Sequence, residues 1–197
     1  MSAYQNFLDF FSMHNKERLD GLSESYFTAM TQKEREMAVD YLLKKIKSSA
    51  TEECIHGLFR ADQSRAVEPI REMLRAGDLS GEAQIAAAWN LYRCQSDDSL
   101  LPIFINLMAS PDVELREKAA YYVPSNKFTE ELKSALEGMI RTETEQLARI
   151  HAVDKLLMCY GVDEESVGKD KYLSIYLGLH SEDPNKKETA IKRLDAY

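Results

Sequence analysis

Glycine and proline are scarce in this chain of 197 residues, which has 8 glycines and 5 prolines. That scarcity suits helices joined by short turns. Cysteine is rarer still: there are 3, an odd number, and no two of them form a Cys-x-x-Cys motif. We therefore expect buried free thiols in a reducing compartment rather than a disulfide framework.

Long apolar runs are also missing. No stretch approaches the length of a transmembrane helix. The start of the chain has no basic region, and Asp9 interrupts its apolar residues, so we predict no signal peptide. The composition, 44% hydrophobic and 29% charged, is that of a soluble folded protein. We therefore expect a cytoplasmic protein that does not associate with membranes.

An excess of positive charge is a third absence. The chain has 33 acidic and 25 basic side chains, for a formal net charge of −8. This charge opposes nonspecific binding to nucleic acid, because such binding needs lysine and arginine to displace counterions. It favours a basic partner, or it is simply a solvated acidic surface.

No motif in the sequence indicates catalysis or a cofactor. Cys54-x-His56 is the nearest approach to a metal or nucleophile pair, but residues two apart on a helix point in different directions. No second ligand pair follows at zinc spacing. His151 and His180 have no evident partner, and no two acids are spaced for general acid–base work. We predict that the protein is not an enzyme and holds no metal or cofactor.

Two stretches of the chain repeat each other 33 positions apart, and such a period with helical patterning is typical of an α-solenoid. The matched residues are Leu58 and Leu91, Arg60 and Arg93, Pro69 and Pro102, and Leu74 and Leu107. A further echo relates 110–119 to 181–190, 71 positions later, about two repeats. With no strand signal and no linker, we predict an all-α, right-handed solenoid forming a single domain over 1–197. Residues 1–47 would form a helical N-terminal cap and residues 48–197 the repeats.

Capping patterns predict where helices begin and end. Four capping boxes are expected, at Ser2-x-x-Gln5, Thr31-x-x-Glu34, Ser49-x-x-Glu52 and Thr142-x-x-Glu145. Ser110, followed by Pro111, is expected to be an N-cap. Gly161 suits the residue just after a helix, where a left-handed conformation is common.

The segment from Leu100 to Ala120 resembles a HEAT or HEAT-like repeat of the phycobilin-lyase type. It has an apolar helix, a Pro-Asp turn, and a second helix carrying Leu115-Arg116 where Val-Arg is usual, then Ala119-Ala120. The match is good over 51–123, weaker over 124–197 and absent before 48. It implies a fold, not a function.

Three enzymatic activities of HEAT-like proteins can be compared with these residues. The hydroxylases bind iron through His-Glu pairs, but the four histidines here precede Asn15, Gly57, Ala152 and Ser181, which excludes that activity. The DNA glycosylases are basic, and the acidic balance of this chain opposes one. Nothing specific supports a lyase.

Residues 30–38, ahead of Leu42-Leu43, are similar to the start of several bacterial immunity proteins, which are small, acidic and HEAT-like. The resemblance implies an interaction protein of a contact-dependent growth inhibition system. Such a protein is a cytoplasmic monomer that binds one cognate toxin, here expected to be a basic nuclease (an RNase or tRNase), and blocks it. A HEAT-like adaptor or scaffold for another protein or peptide is the alternative, and a lyase or glycosylase is the third.

One repeat position is aromatic or heteroaromatic three times, at His56, Trp89 and Tyr121. Equivalent positions form a ladder in a repeat stack, so this one is either a binding ridge, since Trp and Tyr dominate binding hot spots, or core packing between helices. We expect Trp89 to bind the partner if it is exposed.

A second candidate site is an acidic stripe. Glu114, Glu117 and Tyr121 share one side of a helix, and Glu82, 32 positions before Glu114, extends the set. Such a surface would fit the cationic substrate groove of a nuclease, or it is an ordinary solvated helix face. Arg60 and Arg93 are expected to cap carbonyls or to pair with acids within the stack.

Overall fold

A computed structural model describes residues 2–13 and 21–197, and within them the chain is all-helical, with no strand, as the sequence predicts. His14 and Asn15, of the hydroxylase comparison, lie outside the described residues, as does part of the predicted cap. The helices are α1 Ala3–Phe10, α2 Ser25–Thr28, α3 Gln32–Ser48, α4 Glu52–Ala61, α5 Gln63–Ala76, α6 Gly81–Gln95, α7 Leu101–Met108, α8 Val113–Tyr122, α9 Glu130–Thr142, α10 Gln146–Tyr160, α11 Glu164–Val167, α12 Lys169–Leu179 and α13 Pro184–Leu194. In this part of the chain, no helix has the length and apolar character needed to cross a bilayer.

The chain divides into two compact units, Met1–Asp97 and Asp98–Tyr197. In the first, α4 and α6 pack side by side, α5 joins them, and α3 packs on α4. Aromatic rings of the N-terminal helices fill the adjoining core, where Phe7 contacts Phe27 and Tyr41 with ring centroids 5.7 and 5.6 Å apart. At Gly57 a Cβ atom would lie 2.6 Å from Leu22 Cδ2, so any other residue at this position of α4 would require the Leu22 side chain to shift.

The second unit has the same kind of arrangement. Helices α8 and α10 pack side by side, with α7 against α8 and α9 against α10. Fully buried side chains such as Phe104, Leu136 and Leu156 form its core. The last two long helices, α12 and α13, approach closely at Gly178, where a Cβ atom would come within 2.7 Å of the Ala190 Cβ.

Three of the predicted helix ends are confirmed. The Ser2 hydroxyl accepts from the Gln5 backbone N–H at 3.1 Å. Thr31 and Glu34 form a complete capping box, in which each side chain accepts from the backbone N–H of the other residue. Gly161 ends α10 in the left-handed region, at φ 65°.

Three other predicted caps are wrong, and at two of them a nearby polar side chain caps the helix instead. Thr51, not Ser49, caps α4 and accepts from the Cys54 N–H at 3.3 Å. Asp112, not Ser110, caps α8 and accepts from the Glu114 N–H at 2.9 Å, because Ser110 instead accepts from the N–H of Asp112 itself.

The predicted box at Thr142 fails because that residue still belongs to α9. Its hydroxyl donates to the Gly138 carbonyl at 2.9 Å, one turn back along the helix. The N-cap residue of α10 is Glu145, and its side chain makes no cap hydrogen bond. The turn before α10 is held by Glu143 instead, since its Oε1 carboxylate oxygen accepts from the backbone N–H groups of Thr144 and Glu145, both at 3.0 Å.

Arg116 holds that carboxylate in position. Its Nε donates to Glu143 Oε2 at 2.6 Å and its Nη2 to Oε1 at 3.1 Å, and the Glu143 side chain is only 4% exposed. The remaining nitrogen, Nη1, donates to the carbonyls of Ser110 and Pro111, both at 3.0 Å. A single guanidinium therefore links the α7–α8 turn to the α9–α10 turn.

Arg116→Ala is expected to lower the free energy of unfolding by about 3 kcal/mol, because it leaves the Glu143 carboxylate buried without its cation. Lys127→Ala is the matched control in the same unit. It removes an ion pair with Asp98 in which both side chains are about half exposed, and it should cost under about 1 kcal/mol. Urea unfolding of the wild type and the two variants measures both free-energy losses. Equal losses in Arg116→Ala and Lys127→Ala would contradict the anchoring role of Arg116.

The stability that Arg116→Ala removes should depend on pH in a definite direction. The hydrogen bond from Arg116 chiefly holds the pKa of Glu143 below its ordinary 4.5. A lowered carboxylate pKa adds stability above the unfolded-state value, and this contribution disappears as the pH falls through the folded-state value. The stability difference between the wild type and Arg116→Ala should therefore shrink below pH 4.5. A difference that grows on acidification would contradict the assignment.

Candidate functional site

Trp89 lies on α6 at the edge of a groove in the first unit, and its side chain is half-buried. Its ring meets His56 of α4 edge to face, with centroids 5.4 Å apart, so the structure places these two ladder positions in contact. The guanidinium of Arg93 lies 4.6 Å from the centre of the indole ring. Trp89 is therefore neither a fully buried core residue nor a bare surface ring.

The groove beside Trp89 has a volume of about 690 Å³ and is lined by Arg35, Arg60 and Arg93 together with acidic Glu24 and Asp62. The buried amide of Asn90 donates to the Ala86 carbonyl at 2.8 Å and lies 2.9 Å from His56 Nδ1. These contacts fix the groove floor across α4 and α6.

The two repeated arginines differ in role. Arg60 donates to the Leu22 carbonyl, the kind of contact that the sequence predicts. Arg93 instead lies over the indole ring of Trp89, which is one turn before it on α6 and offers a broad aromatic face. The residue one turn before Arg60 is His56. Glu82 is half-buried on the same side of α6, two turns before Trp89.

The acidic stripe lies on α8 in the second unit. Glu114 is exposed, Glu117 is half-buried, and Tyr121 is 55% exposed. The Tyr121 ring contacts those of Tyr122 and His151, with centroids 4.9 and 5.0 Å apart. The structure therefore keeps these three predicted residues together, whereas Glu82 and Trp89 belong to the other unit.

Sequence reasoning missed His151, which lies 30 positions after Tyr121 and continues the aromatic ladder on α10. The repeat has shortened there, from 33 to 32 and then 30 positions, which conceals the relationship. His151 lies on one side of α10 with the exposed residues Leu147, Asp154 and Met158. Counted from Leu147, the other three residues follow at 4, 7 and 11 positions, which places all four on one helix face. We call the combined set the α8–α10 surface: Glu114, Glu117, Tyr121, Leu147, His151, Asp154 and Met158.

Two stacked tyrosines on α12 border the α8–α10 surface. Tyr172 and Tyr176 have ring centroids 5.8 Å apart. Burial, and then the nearby Asp154 carboxylate, raise the pKa of both phenols, so Asp154 lies close to each. Leu177, on the same helix, is 64% exposed. Aromatic and aliphatic groups thus alternate with carboxylates across this side of the unit.

The described residues include no cluster of three or more His, Cys, Asp or Glu side chains placed to hold a metal ion. Burial raises the pKa of the Cys159 thiol to about 11 and also raises that of Cys94, so neither is an activated nucleophile.

None of the protein-family models, curated proteins or solved structures compared with the chain matches it. The resemblance to HEAT-like immunity proteins therefore rests on the residues quoted above.

Trp89→Ala should lower the free energy of unfolding by about 2 kcal/mol, less than the 3–5 kcal/mol expected for a fully buried aromatic side chain, because part of the ring already faces solvent. Phe27→Ala, in the same unit, is the control for a fully buried ring, since Phe27 is 1% exposed. Denaturant unfolding measures both. Equal losses would make Trp89 a core residue, and no loss at all would mean that its contacts with His56 and Arg93 contribute nothing.

Proposed function

We propose that this protein is an immunity protein that binds a cognate toxin one to one and neutralises it in the cytoplasm. The toxin is a basic nuclease of a contact-dependent growth inhibition system, and the α8–α10 surface makes the contact. The observation that carries the proposal is this surface itself, where an exposed tyrosine, leucine and methionine lie among carboxylates. The resemblance of residues 30–38 supplies the class of protein.

The composition of the α8–α10 surface suits a protein partner. Interface centres are rich in Tyr and Met, and aromatic anchors supply much of the binding energy. Tyr121, held against His151, is such an anchor, and Leu147 and Met158 are 49% and 60% exposed. Apolar side chains that open to solvent on one helix face gain most when a partner covers them.

The charge of this surface suits a nuclease. An enzyme that holds nucleic acid needs a cationic groove. Glu114, Glu117 and Asp154 present carboxylates on adjacent helices, and the chain as a whole carries a net charge of −8. Complementary charge chiefly raises the association rate and the specificity, and rapid capture limits the damage that a toxin does before it is bound.

The arrangement of helices supports a right-handed, HEAT-like solenoid as the finer fold. The side-by-side pairs α4 with α6 and α8 with α10 are built from residues about one repeat apart, and each unit backs its pair with a further helix. That is how repeats bury faces that no single repeat can bury alone.

An adaptor that binds a peptide is the second candidate, and the groove beside Trp89 favours it. A half-buried indole beside Arg60 and Arg93 suits a peptide with an acidic or aromatic side chain. This candidate places the contact in the first unit, so mutations on α8 and α10 would leave it unaffected.

Co-purification with the toxin domain encoded by the adjacent gene tests the function. Calorimetry should give one toxin domain per chain, and the purified protein should abolish nuclease activity at equimolar concentration. A toxin domain that neither binds nor is inhibited would overturn the proposal.

Reversing two charges of the α8–α10 surface, with Glu114→Lys and Glu117→Lys, should slow association with the toxin and weaken its dependence on salt, because screening shortens the reach of the field. Stability should fall by under about 1 kcal/mol, since Glu114 lies in the first turn of α8 and favours the helix dipole there. Stopped-flow binding at several salt concentrations measures the rates.

Glu68→Lys with Glu72→Lys is the matched control. It changes the net charge by the same amount on two exposed residues of α5, in the first unit. An equal slowing by both double variants would mean that total charge, not the α8–α10 surface, governs association.

Tyr121→Ala should weaken toxin binding by about 2 kcal/mol or more, mainly through faster dissociation. The free energy of unfolding of the Tyr121→Ala variant should barely differ from that of the wild type, since the ring is 55% exposed. Tyr197→Ala, at another exposed ring of the second unit, should leave the dissociation rate unchanged. Surface plasmon resonance separates the two rates, and wild-type dissociation by the Tyr121 variant would remove this ring from the contact.

A further inference from the structure

A second concave site lies in the second unit, and none of its lining residues belongs to the α8–α10 surface. It has a volume of about 430 Å³ and is bounded by the α9–α10 turn and by the first turns of α10 and α13. Among its lining residues are Arg141, Thr144, Arg149, Glu182, Lys187 and Glu188. We call it the Lys187 pocket.

Lys187 is the unusual residue of this pocket, because its side chain is buried at 7% exposure. Among the residues that the structure describes, its ammonium has no ion-pair or hydrogen-bond partner. Its Nζ is not among the buried polar atoms that lack a partner, so the aliphatic stem is covered while the ammonium opens to solvent in the pocket. An anion in the pocket would supply the missing partner.

The similarity between residues 110–119 and 181–190 shows which partner Lys187 lacks. Both copies fold into the same turn. The Ser181 hydroxyl accepts from the Asp183 N–H at 3.1 Å, as Ser110 accepts from Asp112, and Asp183 accepts from the Asn185 N–H at 2.9 Å, as Asp112 does from Glu114. Lys187 lies 71 positions after Arg116, at the same place after the turn. Arg116 has the Glu143 carboxylate, whereas Lys187 has none.

Arg149 adds a second donor to the pocket. Its side chain is 14% exposed, and its buried Nε has no hydrogen-bond partner. Its Nη2 donates to Glu182 at 2.8 Å, but the Glu182 side chain is 81% exposed, so this ion pair is largely solvated and contributes little. Burial chiefly, and then Arg149 and Lys187, lower the pKa of neighbouring His180, which fits a positive potential at this place.

The charges of the pocket leave room for a dianion. Arg141 is paired with Glu137 and Glu188, and Glu143 is paired with Arg116. With Glu182 displaced, Arg149 and Lys187 are the cationic side chains of the pocket that have no carboxylate partner among the described residues. A phosphate group bears between about −1.5 and −2 at pH 7 and offers three strong acceptor oxygens.

We propose that the Lys187 pocket binds a phosphate group through Lys187 and Arg149, in competition with the carboxylate of Glu182. The phosphate is either free or carried by a larger molecule, for which the volume of the pocket leaves space. Neither Lys187 nor Arg149 belongs to the α8–α10 surface, so phosphate binding is measured without the toxin and its outcome is distinct from that of the proposed function.

Titration of inorganic phosphate by calorimetry, at constant ionic strength, tests the site with two variants that act in opposite directions. Lys187→Met keeps the apolar stem and removes the charge, and it should weaken phosphate binding by about tenfold or more. Glu182→Gln removes the competing carboxylate and should tighten binding several-fold. Because Glu182 is exposed, this variant tests the pocket even if Lys187→Met folds poorly.

Lys186→Met is the matched control, since it removes the same charge from an exposed neighbour on α13 and should leave phosphate affinity unchanged. AMP and adenosine identify the source of the phosphate. Tighter binding of AMP than of phosphate, with no binding of adenosine, indicates a nucleotide, and weaker binding of AMP indicates the free ion. Phosphate that binds no better than chloride, or equally to the Lys187 and Lys186 variants, would overturn the proposal.

Discussion

The guanidinium of Arg116 reaches from α8 to the carboxylate of Glu143, and two turns of the second unit are held by this one contact. On one side it satisfies the carbonyls of Ser110 and Pro111, which precede α8. On the other it fixes Glu143, whose Oε1 accepts from the backbone N–H groups of Thr144 and Glu145 in the turn before α10. Because α8 and α10 carry the exposed residues on either side of Tyr121 and His151, the relative position of the two helices, and hence the surface, depends on this pair. Desolvation makes such a pair a modest net source of stability, but its loss is costly, so its main effect is to specify geometry.

Local signals in the sequence were sufficient for the all-helical fold and for several helix ends, since capping is decided within four residues. Thr31 and Gly161 behave as their patterns predict. Thr142 does not, because it still belongs to α9, and the turn after it is held by Glu143, whose position depends on Arg116, 27 residues earlier in the chain. His151 escaped notice because the repeat had shortened. Lys187 could not be singled out from the sequence, because its distinguishing feature is that it lacks a carboxylate partner among the described residues, and periodicity does not reveal such a lack.

The same ladder position has different chemistry in the two units. In the first, His56 and Trp89 are joined by Arg93 over the indole ring, and a groove with three arginines lies beside them. In the second, Tyr121 and His151 lie among Glu114, Glu117 and Asp154. Equivalent backbone sites thus offer an aromatic platform with cationic neighbours in one unit and anionic neighbours in the other. A repeat framework permits this difference, because the packing residues are independent of those that face outward.

Position on a helix also affects how each of these groups can act. Tyr121 and His151 come from two helices packed side by side, so their rings are held by backbone that has little freedom, and little conformational entropy remains to be lost on binding. Glu182 is the opposite case, since its carboxylate reaches Arg149 from a turn and is largely solvated. A solvated carboxylate such as that of Glu182 can be replaced on Arg149 by another anion. A ring held between two packed helices, such as that of Tyr121, is suited to a single, preformed contact. The face built on two packed helices is therefore the better candidate for a tight protein partner, and the pocket bordered by a solvated carboxylate is the better candidate for a small, exchangeable ligand.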